Sequence, residues 1–166
     1  MISDGVTIID SFAFQDCSSL ASITIPGSVT EIGFGAFDGC TGLTSVVFSE
    51  GVKSIGDNAF LSCKGLTSII IPDSVTSIGS HAFYNCTGLK SAVIPKSVKY
   101  IWSNTFYDCT ELTIYGCSGT AAKSFAYREK IPFKYICEYP QNAAGHDYVK
   151  GICTVCGADD PKYSRN

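Results

Sequence analysis

The sequence predicts an α/β repeat solenoid, and two observations carry that prediction. A frame of 23 residues recurs five times without a break. Within each frame the apolar spacing changes from three or four residues to two, as it does when a helical turn hands over to a strand. Valine opens the units at Val6, Val29, Val52, Val75 and Val98, and isoleucine follows at Ile9, Ile32, Ile55, Ile78 and Ile101. An aromatic column runs through Phe14, Phe37, Phe60, Phe83 and Phe106. Cysteine recurs at Cys17, Cys40, Cys63, Cys86 and Cys109, and leucine at Leu20, Leu43, Leu66, Leu89 and Leu112. One unit cannot bury its own apolar face, whereas stacked units share a continuous core.

The elements of a unit follow in order. Gly33, Gly56 and Gly79 come after the first short strand and read as a tight bend. The run from Ala82-Phe83 through Cys86 to Leu89 has apolar residues three or four apart, which predicts a short helical segment on the convex side. Leu66 to Pro72 alternates near its end and predicts a second strand on the concave side. Pro26, Pro72 and Pro95 close these strands, because proline cannot donate to a ladder, and Ser49 replaces proline in the second unit.

Strand alternation points Ile23 and Ile25 inward and Thr24 outward. The equivalents of Thr24 are Val47, Ile70 and Val93, a row across the concave sheet flanked by Thr44, Thr67 and Lys90. Contiguous exposed apolar surface marks contact sites. β-Branched residues also favour strands for their own sake, so a purely architectural reading of the row stays open. The uniform Ser22, Ser45, Ser68 and Ser91 fit repeat architecture better than ligand recognition.

Composition narrows the function classes. Apolar residues make up 45% of the 166-residue chain and charged ones 16%, enough apolar material for a packed core. Twelve basic against 15 acidic side chains give a net charge of −3 with no basic stripe, which argues against nucleic acid or an anionic membrane as partner. No apolar run approaches the roughly 20 residues that span a bilayer. Met1 to Asp4 does not read as the start of a signal peptide, and Val6 already lies within the first unit, so the chain reads as a piece of a longer protein. No catalytic constellation is found. His81 precedes Cys86 by five residues, but that thiol belongs to the core column, and His81 occupies a variable slot that reads as exposed surface. The glycines follow the repeat and form no phosphate-binding loop.

The five column cysteines are expected to be reduced and buried, since free cysteine behaves as a small hydrophobe. Spreading of the convex elements opposes disulfides within the column.

The frame sVtxIGxxAFxxCxxLxsIxIPxs, which runs from residue 6 to about residue 136 with its closing unit, resembles the BspA-like class of leucine-rich repeats. The resemblance implies a leucine-rich-repeat right-handed superhelix. It also implies a place on the surface of a bacterium or mucosal protozoan, and adhesion to a protein or glycan of a host or neighbouring cell. The segment from Leu112 to Ile136 resembles the closing unit of that family: a strand, a Gly-Cys turn, a helix and a last strand. Two residues depart from the frame, Trp102 at the glycine position and Thr105 at the alanine position, both beside the cap.

Three parts result: repeats over 1–112, a cap over 113–136, and a linker with a Cys/His tail over 137–166. In the cap, Thr120 N-caps a helix that Pro132 stops, Ala121, Phe125 and Ala126 face the last repeat, and Cys117 reads as a packed thiol. In the tail, Cys137, His146, Cys153 and Cys156 escape the 23-residue period. Cys153-x-x-Cys156-Gly157 has the geometry of a zinc knuckle, and the four residues could form one structural zinc site. A Cys153–Cys156 disulfide, or free thiols, are the alternatives. The favoured function is a monomeric, non-catalytic binding module at the cell surface; the alternative is a spacer without a ligand of its own.

Overall fold

Each unit gives one strand to each of two sides of the stack, and all pairing between units is parallel. The computed structural model describes residues 2–136 and, for the backbone alone, 137, 148–149 and 152–153. A narrow sheet is built from two-residue strands in the order β1 (Ile8–Ile9), β3 (Glu31–Ile32), β5 (Ser54–Ile55), β7 (Ser77–Ile78) and β9 (Tyr100–Ile101). Longer strands line a broad second side in two parallel sheets: β2 (Ser22–Ile25) pairs with β4 (Ser45–Phe48), and β6 (Ser68–Ile70) with β8 (Ser91–Val93), while β4 and β6 touch without ladder pairing; the two together are called the broad sheet. The cap extends it with β10 (Thr113–Cys117) and β11 (Phe133–Cys137), so six strands lie along this side. Tyr148–Val149 (β12) and Ile152–Cys153 (β13) pair antiparallel in the tail.

Register stacks like on like. Ile23 faces Val46, Ile69 faces Ala92, and Ala92 faces Ile114. The inward residues of successive turns therefore touch, and the core runs the length of the stack. Val52, Phe60, Cys63 and Leu66 of the third unit are fully buried, with a unit on either side. Phe14, Cys17 and Leu20 of the first unit are only partly buried. The phenylalanine rings form one near-parallel pile, with centroids 5.0 Å apart from Phe14 to Phe37 and from Phe37 to Phe60, and 5.2 Å from Phe60 to Phe83 and from Phe83 to Phe106.

The convex segment is not the expected helix. Two positions in every unit, four residues apart, have positive φ: Phe12 and Asp16, Gly35 and Gly39, Asn58 and Ser62, His81 and Asn85, Asn104 and Asp108. A left-handed residue in every turn breaks an α-helix. Instead, hydrogen bonds to the third preceding residue alternate with bonds to the next unit. Leu61 N donates to Asn58 O within its own turn, whereas Phe60 N donates to Ala82 O at 2.7 Å and Ser62 N to Tyr84 O at 2.8 Å. This third side is thus tied between units, as the sheets are. The one helix among the described residues is in the cap.

The repeated glycine has a different cause from the tight bend expected of it. Gly33, Gly56 and Gly79 are not among the residues with positive φ. Their backbone presses on the preceding unit: a Cβ on Gly33 would lie 2.8 Å from Ser11 N, and one on Gly56 2.7 Å from Ile32 O. Trp102 stands in this column beside the cap. There the hydroxyl of Thr105, fully buried, lies between Gly79 O at 2.9 Å and Trp102 O at 2.7 Å and donates its one proton between these two carbonyls.

The cap helix, α1 (Ala121–Glu129), begins at Thr120, whose Oγ1 accepts from Lys123 N, and ends at Lys130 in the left-handed conformation. Ala122, Phe125 and Ala126 are its buried face, with Ala122 rather than Ala121 turned inward. Phe125 closes the ring pile edge-on to Phe106, with centroids 6.0 Å apart. Cys117 corrects another expectation: it is not a packed thiol but one half of a disulfide.

Candidate functional site

The outward positions of the broad sheet form a row, set by register on either side of the break between β4 and β6. Thr24 lies beside Val47, and Ile70 beside Val93; β4 and β6, which join the two pairs, are in contact. Val47 is 54% and Ile70 67% exposed, on the two strands that flank the break between the two hydrogen-bonded sheets. Thr24 is also exposed and Val93 is half-buried. The flanking residues are exposed as well. Thr44 turns its hydroxyl to Ala21 O at 3.0 Å, and Lys90 lies 3.5 Å from Glu111 in a solvent-exposed ion pair. Such pairs contribute little, so Lys90 can be redirected at small cost.

The row does not stop at Val93. Tyr115 lies opposite Val93, and Lys134 opposite Tyr115, with the Lys134 ammonium 6.0 Å from the Tyr115 ring centroid. The strip thus runs from a threonine, over apolar side chains, to a tyrosine and a lysine. The 23-residue frame misses these two. Counting from Val93 gives Gly116, but β10 pairs one residue earlier, so Tyr115 takes the place. The available signal was Leu112-Thr113-Ile114-Tyr115, in which the inward-outward alternation restarts one residue early. Charge follows the same direction. Residues 90–136 carry seven basic side chains against three acidic, whereas residues 1–89 carry two basic against eight acidic.

Exposed aromatics form a second surface at the cap. Tyr100 and Trp102, 67% and 60% exposed, border a cleft of about 360 Å³ between β9 and α1, with Arg128 on its rim. That guanidinium is already paired with Glu129 at 2.8 Å and lies over the Phe125 ring.

The thiol column is chemically quiet. Cys17, Cys40, Cys63, Cys86 and Cys109 are free thiols, and all but Cys17 are buried. Each buried thiol donates to a phenylalanine carbonyl of the preceding unit: Cys40 to Phe14 at 3.0 Å, Cys63 to Phe37 at 3.2 Å, Cys86 to Phe60 and Cys109 to Phe83, both at 3.1 Å. Burial pushes the Cys40 thiol up to about 11 and that of Cys63 higher still. Cys86 is raised by its hydrogen bond with Cys109 and by burial. Cys40, Cys63 and Cys86 therefore remain protonated at neutral pH, which makes them poor nucleophiles. His81 is half-buried rather than open surface; its ring nitrogens meet Ser80 Oγ at 2.8 Å and Asn104 Nδ2 at 3.4 Å.

Of the tail residues, Cys137 ends β11 and Cys153 ends β13, while His146 and Cys156 lie outside the described residues. Among the described residues, no group of three or more His, Cys, Asp or Glu is placed to hold a metal. No helix among them is long and apolar enough to cross a membrane.

Stacked parallel turns of 23 residues, a buried Leu/Ile/Phe core and a helical cap define a leucine-rich-repeat solenoid. Residues 1–114 match the BspA type leucine-rich repeat region in six copies, and the chain belongs to that family. It is similar to a leucine-rich repeat protein of T. pallidum, at 40% identity over 68% of this chain and 54% of that one, with a TM-score of 0.66. A leucine-rich cell surface protein of Faecalibacterium prausnitzii is 38% identical over 75% of this chain and 33% of its own, with a TM-score of 0.69. The pneumococcal vaccine antigen PcpA, at 20% identity and a TM-score of 0.54, shares the fold. The chain thus spans about half or less of the length of these proteins. No curated protein matches it.

Proposed function

We propose that the chain is a non-catalytic adhesion module at the cell surface, and that its broad sheet binds a protein or glycan of a host or neighbouring cell. One observation carries this reading: Val47 and Ile70 stand exposed on neighbouring strands, in a strip that ends in Tyr115 and Lys134. A stack that served only as a spacer would gain by making these positions polar, because exposed apolar patches invite association. Tyrosine adds large, rigid contact area with a polar tip, and such side chains are enriched at interfaces. The excess of basic residues at the cap favours a partner whose acidic groups meet that end, such as an acidic protein segment or an acidic glycan.

A cell-surface location is supported by the cell surface relative named above. We read the chain as a monomer that presents one copy of the strip. The test is a binding screen of the whole chain against immobilised matrix proteins and a glycan array. Saturable binding to a member of either set, weakened by salt, is the expected result. Absence of saturable binding throughout both sets would favour a spacer.

A further inference from the structure

We propose that Cys137 is the disulfide partner of Cys117, so that a covalent bond locks the last strand of the broad sheet to its neighbour. Cys117 is disulfide-bonded, and the five column cysteines are free thiols. The chain has nine cysteines, which leaves Cys137, Cys153 and Cys156 as partners within it. Backbone pairing selects among them. β10 and β11 run parallel, with Ile114 opposite Phe133, Tyr115 opposite Lys134 and Gly116 opposite Tyr135. The register then shifts by one residue, and Cys117 faces Cys137 instead of Ile136. Neighbouring strands lie about 4.8 Å apart, inside the range of roughly 4.4–6.8 Å between Cα atoms that a disulfide accepts. Cys153 sits in a different strand pair, opposite Tyr148.

The bond forms when two thiols lose two protons and two electrons to a disulfide oxidant, a protein or small-molecule disulfide that is itself reduced to thiols. Such oxidants act on exported proteins, which agrees with a cell-surface location without depending on it. Two consequences follow. β11, which carries Lys134, is held in register with Tyr115, so the end of the exposed strip is fixed. Cys137 is also withdrawn from the metal set read in the tail, leaving His146, Cys153 and Cys156.

The experiment is proteolysis and mass spectrometry of the whole chain, alkylated while unfolded but without reductant. The expected product is one crosslinked peptide pair containing Cys117 and Cys137, two hydrogens lighter than the reduced pair. Cys137→Ser should make Cys117 alkylable, while a Cys153→Ser, Cys156→Ser variant should keep the crosslink. A crosslink from Cys117 to Cys153 or Cys156, a disulfide-linked dimer through Cys117, or alkylation of Cys117 in the unreduced parent would each overturn the assignment.

Discussion

Cys86 donates its thiol to the carbonyl of Phe60, 26 residues earlier and one unit away, at 3.1 Å. The same carbonyl accepts from Cys63 N within its own unit. The column cysteine is therefore more than a filler: it supplies a donor to a buried carbonyl without bringing a strongly solvated group into the core. Thiol labelling of the native chain should be slow at Cys40, Cys63 and Cys86 and rapid after unfolding. Fast native labelling at these three would show that the column is open. Because burial raises these thiols above their unfolded value of 9.0, stability should be undiminished below about pH 9 and fall as the pH rises toward about 11, where Cys40 titrates in the folded chain. A chemical denaturation midpoint measured across that window checks the sign.

Phe60→Ala should rank among the most damaging substitutions, costing about 3–5 kcal/mol. Its ring lies between Phe37 and Phe83 in the centre of the pile. Phe14→Ala should cost clearly less, because Phe14 is half-buried and stacks on Phe37 alone among the described rings. Equal losses in equilibrium denaturation would mean that the pile is not the continuous core described.

Asn58 tests the third side of the solenoid, since it holds φ at 58°. Asn58→Gly should be neutral or slightly stabilising, and Asn58→Ala should destabilise by about 1 kcal/mol. A helix would reverse the order, because alanine is favoured over glycine in helices by about 1 kcal/mol.

That reversal marks where the sequence was readable and where it was not. The 23-residue columns reveal stacking, the inward faces and both strands, because burial acts on every copy alike. The convex segment misled because Phe60, Cys63 and Leu66 are spaced as on a helix, yet successive short turns give the same spacing. The contrary signal lay in the variable slots, where Asn58, Asn85, Gly35, Gly39 and Asp108 are residue types that tolerate positive φ. Thr24, Val47, Ile70 and Val93 were found because they keep the period; Tyr115 and Lys134 were not, because the cap pairs out of period.

Cys137 cannot serve a zinc ion and a disulfide at once. With the Cys117–Cys137 bond closed, His146, Cys153 and Cys156 fall one short of a closed tetrahedral set. Elemental analysis of the oxidised whole chain, purified without added metal or chelator, should find well under one zinc per chain. A full equivalent, lost on Cys137→Ser, would return Cys137 to the metal set and contradict the assigned bond.

The proposed binding surface is the strip across the broad sheet. A Val47→Glu, Ile70→Glu double variant places two carboxylates on exposed positions, so the fold should survive, as circular dichroism and the denaturation midpoint would report. Its affinity for the matrix protein or glycan bound by the parent should fall at least about tenfold, a loss of roughly 1.4 kcal/mol, while a control change at exposed Lys64, outside the broad sheet, leaves binding unaltered. Parental affinity in the folded double variant would contradict the central claim and move the binding surface elsewhere on the solenoid.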